Sequence, residues 1–374
     1  MTEQARQGIR QATRVVVKVG TSSLVDREGR ASVRRLSKVV GEVAACAAGG
    51  RRVVLVSSGA IAAGLSPLGW TRRPKEVPRL QAAAAVGQGR LIAEYQRLFA
   101  RRGLVAAQVL LTQDDVVRRR HFVNAQSTFE HLLAQGVVPV VNENDSVGTE
   151  EIRFGDNDRL AALVAVMIRA DLLVLLSDVD GIYTGDPRRP GAELLPVVID
   201  PMAVRATGPG STHGSGGMAS KLEAAGIATA AGVPTVVANA AVGGVLSRIL
   251  EGQELGTWMP PRAGRKRARK AWMAFATQPR GRVLVDAGAE RAVREAGRSL
   301  LAAGVVGVEG SFDAGDAVEV AGPEGRAFAR GITNYSSREL PSLAGRTSAE
   351  LLAMTGGPYD REVIHRDELV VVGT

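Results

Sequence analysis

The sequence predicts an α/β protein with a mainly parallel central sheet sandwiched by helices, followed by a small β-rich domain. Three observations carry this expectation. Short, near-continuous apolar runs alternate with segments of helical spacing over the first two-thirds of the chain. That alternation is the pattern of a parallel sheet covered on both faces. After Trp258 the texture changes to short strands separated by glycine turns. The 374 residues, 45% hydrophobic and 23% charged, suit two folded domains and not a disordered chain.

Apolar runs at 15–19, 53–56, 137–141, 172–176 and 235–238 are each expected to form a buried strand. Helical spacing marks 33–47, 91–99, 158–168 and 218–231. Pro139 sits inside one run, and a proline lacks the N–H that a central strand donates, so that strand is expected to end early or to carry a bulge. Pro260 and Pro261 then interrupt the chain, and Arg262, Arg265, Lys266, Arg267, Arg269 and Lys270 follow. These features divide the chain into a first domain over 1–260, a basic linker over 261–272 and a β-rich domain over 273–374. In the last of these, strands are expected at 282–286, 317–320, 327–332 and 369–372, with one helix over 289–303.

Aromatics make up only 4% of the chain, so the core must be built from Ala, Val and Leu. A lone cysteine, Cys46, excludes an internal disulfide framework and fits a reducing compartment. His121, His131, His213 and His365 lie far apart with no metal-ligand spacing, which argues against a zinc enzyme; no metal ligand is assigned. The formal charge of +9 suits an anionic partner without choosing among phosphate, nucleotide, carboxylate and RNA. The N-terminal arginines lack the apolar stretch of a secretory signal, and the apolar run at 160–168 is too short to span a bilayer. A cytoplasmic protein without a membrane segment is expected.

Five segments could carry chemistry. Lys18 closes an apolar run and is followed by Gly20, Thr21 and Ser22; a lysine there either snorkels at the strand end or meets an anion. Ser58, after the second run, could cap a helix or present its hydroxyl to a carboxylate or phosphate. Asn142, Asn144 and Asp145 follow another run, and Asp156, Asn157 and Asp158 repeat the combination before a helix. Two clusters this dense exceed what loops need and suit an ammonium ligand, Mg²⁺ or the positioning of lysines. Ser177 and Asp178 end a strand where a ribose or phosphate edge could sit, although ordinary turn chemistry explains them equally well. Finally, a glycine-rich loop runs through Ser215, Gly216 and Gly217 into Met218, Ala219, Ser220 and Lys221. Free N–H groups with a lysine in the first helical turn suit a phosphate chain, and the spacing is not that of a Walker A loop. No Ser-His-Asp or Cys-His arrangement accompanies these groups. Lysines, glycine loops and Asn/Asp clusters equip a protein to move a phosphoryl group by positioning and charge stabilisation.

In this order, the segments resemble the amino acid kinase family, and within it the members that phosphorylate the side chain of glutamate. The opening Lys18-Val-Gly-Thr-Ser, the runs at 58–64, 84–88 and 108–112, and Asn142-Glu-Asn-Asp145, Gly155-Asp-Asn-Asp158 and Gly216-Gly-Met218 carry the likeness, which extends over about the whole chain. It implies the amino acid kinase fold followed by a PUA-like domain, a β-rich fold also found in RNA-modifying proteins. It implies ATP-dependent phosphorylation of L-glutamate to L-glutamyl 5-phosphate, toward proline, with ATP as co-substrate and Mg²⁺ bridging its phosphates. By position, Lys18 and Lys221 would neutralise the transferring phosphoryl group and Asp158 would hold both lysines. Ser58, Asp145 and Asn157 would bind glutamate with Asn142 and Asp156 close by. Lys18, Ser177, Asp178 and the segment from Ser215 to Lys221 would hold ATP. The resemblance further implies a homo-oligomer, dimer or tetramer, and feedback inhibition by proline.

Two rivals remain at this level. One is a sister kinase acting on acetylglutamate, aspartate, carbamate or UMP. The Asn142–Asp145 cluster argues for a free α-amino group, which leaves aspartate as the hardest exclusion. The other is an RNA-binding protein working through the basic linker and the β-rich domain. Against it, that domain offers few aromatics for stacking, Tyr335 and Phe312 being the main candidates, and the basic run at 262–270 reads better as a solvated linker than as a nucleic-acid site.

Overall fold

A computed structural model of the chain describes residues 3–26, 28–112, 115–116, 119–146, 157–204, 217–262, 279–347, 350 and 362–372. The chain divides into two compact units, the first formed by residues 1–116 and 124–263 and the second mostly by 264–374.

The first unit opens with α1 (Glu3–Arg10), β1 (Arg14–Val19), α2 (Val33–Ala48) and β2 (Arg52–Ser57). It continues with α3 (Ala60–Leu65), α4 (Val77–Ala100), β3 (Ala106–Leu111), α5 (Arg119–Ala134) and β4 (Val138–Glu143). Then come α6 (Asn157–Met167), β5 (Leu172–Ser177), the short pair β6 (Ile182–Tyr183) and β7 (Leu194–Leu195), α7 (Met218–Ala230), β8 (Thr235–Asn239), α8 (Val245–Leu250) and β9 (Thr257–Met259). A seven-stranded sheet has the order β3-β4-β2-β1-β5-β8-β9. Neighbours are parallel except for β9, which runs antiparallel to β8. Because β1, β2 and β5 are buried on both faces, they carry Val/Leu runs, interrupted in β1 by Lys18, and this makes them legible as strands. Leu36, Val39, Val40 and Val43 of α2 recur at helical spacing and cover one face.

Strand β4 departs from expectation. It neither stops early nor bulges at Pro139 but runs on to Glu143. Val138 N–H donates to Val105 O and Asn144 N–H to Leu111 O, so even-numbered amides face β3 and the Pro139 nitrogen faces β2. The β2–β4 register begins only at Leu55–Val140, one residue later. The proline therefore removes a donor from a place where the ladder has not yet started. Strand β3, absent from the expected set, lies at the sheet edge with alternating exposure, which breaks up the apolar run.

The second unit holds β10 (Gly281–Val285), α9 (Ala287–Arg294), β11 (Val305–Gly310), β12 (Ala317–Ala321), β13 (Ala327–Ile332), α10 (Leu340–Leu343) and β14 (Leu369–Val371). Its sheet has the order β11-β10-β12-β13-β14. The single helix expected over 289–303 is corrected: α9 ends at Arg294, and β11 begins two residues beyond the expected helix end. Tyr335 and Phe312 are also corrected, since both are buried in this unit's core and offer no free ring for stacking. Most of the basic linker lies outside the described residues; of its arginines, Arg262 pairs with Asp200 at 3.0 Å. No helix of the described residues is long and apolar enough to cross a membrane.

Candidate active site

Strand β1 lies at the point where the chain order reverses: β2 and β4 extend the sheet on one side, β5 and β8 on the other. Parallel sheets leave a crevice for ligands outside the carboxyl ends of strands at such a point. Here those ends carry Asn142 and Glu143 on β4, Ser57 and Ser58 at β2, Lys18 on β1 and Ser177 on β5.

Lys18 does not snorkel. It is buried, with Nζ 2.6 Å from Asp158 Oδ1. Lys221, in the first turn of α7, places its Nζ 3.1 Å from Asp158 Oδ2, and the Ser220 hydroxyl donates to the same oxygen at 2.9 Å. Asp158 itself is fully enclosed in the first turn of α6. Burial pushes its carboxyl up, but the charges of Lys18 and Lys221 and the hydrogen bonds from Lys18 and Ser220 outweigh it, holding the group well below the ordinary 3.8. One carboxylate thus fixes two ammonium groups whose sequence separation from it is 140 residues on one side and 63 on the other. The triad carries a net charge of +1 in a low-dielectric setting, which favours an incoming anion.

On the β2–β4 side, Asn157 Nδ2 reaches Ser58 Oγ at 3.0 Å, Asn142 Oδ1 at 2.9 Å and Ser57 O at 3.3 Å. Ser58 does not cap α3; the N-cap is Gly59, whose φ of 104° turns the chain from strand to helix and makes no side-chain cap. Asp145 is buried, and burial pushes its carboxyl up to about 6 while the charge of Arg73 acts the other way. Asp145 Oδ1 and Asn157 Oδ1 are buried acceptors without a hydrogen-bond donor among the described residues. Buried acceptors of this kind call for a donor from a ligand, and an ammonium group supplies three.

On the β5 side, Ser177 is buried with its hydroxyl 3.3 Å from Asp178 Oδ1, while Asp178 is exposed. Gly217, in extended conformation, precedes α7 without a side-chain cap, so the first amides of that helix remain available to an anion. Met218 and Ser220 are half-buried and Ala219 is exposed. Asp156, Ser215 and Gly216 lie outside the described residues.

Two polar groups join the site without a sequence signal of their own. Gln88 and Tyr95 of α4 reach the ends of β4 and β2, through a Gln88 bond to Glu143 O and a Tyr95 bond to Ser57. In the sequence Gln88 stands out only as part of a run, and no local pattern ties it to a partner 55 residues away.

The model of the amino acid kinase family matches residues 13–239, which takes in β1 through β8 and every residue of the triad. The chain belongs to the amino acid kinase family. The PUA domain model matches residues 281–354 of this amino acid kinase, in the second unit. The glutamate 5-kinase of Streptomyces avermitilis is 51% identical over 98% of this chain and 99% of its own length. That of Streptomyces coelicolor is likewise 51% identical over 98% and 99%, and that of Myxococcus xanthus 48% over 98% of each.

Proposed function

We propose that this amino acid kinase transfers the γ-phosphoryl group of ATP to the side-chain carboxylate of L-glutamate, giving L-glutamyl 5-phosphate, the first step toward proline. The observation that carries the reading is the buried Lys18–Asp158–Lys221 triad at the switch strand, between the Ser58–Asn142–Asp145–Asn157 corner and Ser177. Full-length similarity to glutamate 5-kinases supports it.

In this mechanism, Asp145 and the Asn157 side-chain oxygen accept hydrogen bonds from the α-ammonium, with Ser58, Asn142 and Asp156 completing the acceptor site. At neutral pH Asp145 is mostly ionised, since its carboxyl titrates at about 6. Ser177, Asp178 and the segment from Ser215 to Lys221 hold the nucleotide. The glutamate carboxylate oxygen attacks the γ-phosphorus, the bond to the β,γ-bridging oxygen breaks, and ADP leaves with that electron pair. The attacking group is already an anion, so no general base is required, in keeping with a sequence that offers no Ser-His-Asp or Cys-His arrangement. Lys18 and Lys221 neutralise charge on the phosphoryl group in flight, and Asp158 keeps both ammonium groups from drifting. Two buried cations fit a polyphosphate, and Mg²⁺ bound with the nucleotide would supply further charge neutralisation.

The proposal places the enzyme in the cytoplasm as a homo-oligomer subject to inhibition by proline. It assigns catalysis to 1–260 and sets the PUA-like domain, 273–374, behind the 261–272 linker. Tyr335 and Phe312 are core residues and lend no support to RNA binding by the PUA-like domain. ADP release with L-glutamate, L-aspartate and N-acetyl-L-glutamate tests the reading, with Lys221→Ala alongside. Turnover is expected on L-glutamate alone and lost in the variant; turnover on another acceptor in its place overturns the substrate.

A further inference from the structure

The run at 84–88 has no part in the mechanism above, yet α4 lies directly behind the acceptor corner. Two neighbouring residues of α4 touch its two halves. At Gly87 the helix comes so close to α3 that an added Cβ would lie 1.8 Å from Ala60 O and 2.6 Å from Gly64 N. Ala60 is two residues beyond Ser58. The next residue, Gln88, is buried and donates from Nε2 to Glu143 O at 3.1 Å, between Asn142 and Asp145.

Odd-numbered residues of β4 face β2, and the β2–β4 register ends at Val56–Val141. The Glu143 carbonyl therefore lies past the last paired residue of β2, and Gln88 donates to it there. Two helical turns further along α4, the buried Tyr95 hydroxyl lies 2.7 Å from Ser57 Oγ, which in turn donates to Ser58 O at 2.9 Å. Burial pushes the Tyr95 hydroxyl up, so it stays protonated and keeps this bond. Asn157 bridges the same two strand ends from the ligand side. The spacing between Ser58 and the Asn142–Asp145 segment is thus set from both sides.

We infer that Gln88 is a positioning residue for the acceptor amino acid, holding the β4 end against the β2 end through α4, with Tyr95 doing the same for Ser57 and Ser58. The inference rests on the glutamate-phosphorylating reading. It touches the acceptor side alone: the nucleotide groups on β5 and α7 have no bond to either residue among those described.

Gln88→Met keeps the volume and removes the donor; Tyr95→Phe removes only a hydroxyl. For Gln88→Met, KM for L-glutamate is expected to rise about tenfold while KM for ATP stays near the wild type; the melting temperature falls modestly, because a buried carbonyl loses a donor. Tyr95→Phe should raise KM for L-glutamate about threefold. A merely structural role would instead move both KM values together, and that result overturns the inference. So does an unchanged KM for L-glutamate in Gln88→Met or, should that variant not fold, in Tyr95→Phe. A wild type that fails to phosphorylate L-glutamate sinks the underlying reading and this inference together; wild-type turnover with unaltered variants sinks this inference alone.

Discussion

Asp145→Asn removes a carboxylate that burial has pushed up to about 6 from an ordinary 3.8. In the unfolded chain that group ionises freely, so above pH 6 folding carries the cost of enclosing its charge. A tenfold change in an ionisation constant corresponds to about 1.4 kcal/mol, and the rise from 3.8 to about 6 therefore sets the cost at about 3 kcal/mol. Asparagine brings its own cost, about 1–3 kcal/mol for a buried polar group lacking full partners. The variant should therefore be more stable than the wild type by about 1 kcal/mol at pH 8. The sign follows from proton binding. Between about pH 4 and 6 the folded wild type holds more protons than the unfolded chain, so wild-type stability rises as the pH falls through that window. At pH 5, below the folded value, the variant's advantage should shrink by about 1.4 kcal/mol. Urea denaturation followed by tryptophan fluorescence at pH 8 and pH 5 reads the difference directly. Activity should move the opposite way, with KM for L-glutamate up at least about tenfold, because the loss of a hydrogen bond to a charged group costs about 1.5–3 kcal/mol. A stability difference that stays flat from pH 8 to pH 5 would refute the reasoning, since it would mean that the Asp145 carboxyl is not held out of water.

Asp158→Asn should behave differently, because it leaves two buried ammonium groups facing each other. Removing one partner of a buried pair costs about 3–5 kcal/mol, so the urea midpoint should fall sharply, and ATP should restore part of the loss by bringing anionic charge; a change below about 1 kcal/mol would contradict the triad. The Asp158 carboxyl is depressed below 3.8, so the stability it lends is complete above that value and is lost as the pH falls toward the lower folded one; the variant should lack this acid-dependent component. Gly87→Ala improves helix propensity by about 1 kcal/mol but forces a methyl to within 1.8 Å of a backbone carbonyl that has no rotamer to change. Overpacking of about 1–3 kcal/mol should win, giving a lower melting temperature together with a raised KM for L-glutamate.

The strands that frame the site were legible because the interior of a doubly covered parallel sheet must be apolar on both faces. This made β1, β2, β5 and β8 stand out as runs. The edge strand β3 shows alternation instead, and β11 opens behind glycine and alanine, so neither gave a comparable signal. Pro139 misled because a missing donor matters only where a ladder is present to receive it, and the ladder on its side begins a residue later. The chemistry was partly legible for a similar reason. A lysine at the end of an apolar strand demands an anion, and Lys18 has one; but residue patterns cannot say which carboxylate answers it. That assignment came through resemblance. Gln88 had no such route, because a buried amide serving a distant carbonyl looks like any polar residue on a helix.

The arrangement also explains why a chain with so few titratable groups at its centre can run a phosphoryl transfer. With all strands but one pointing the same way, their carboxyl ends gather Lys18, Ser58, Asn142 and Ser177 at one edge of the sheet. The β1 position separates two jobs. In the proposed reading, groups on β2 and β4 would meet an amino acid whose ammonium needs acceptors, and groups on β5 and α7 an anion that needs amides and cations. Lys18 stands on the strand between them, and Asp158 ties it to Lys221 across the divide. A carboxylate that binds two cations this closely cannot also act as a base, and none is required when the nucleophile is already ionised. The burden falls on distance alone. Small errors in spacing between the two sides cost rate steeply, and on the acceptor side α4 abuts α3 at Gly87 with no side chain between them.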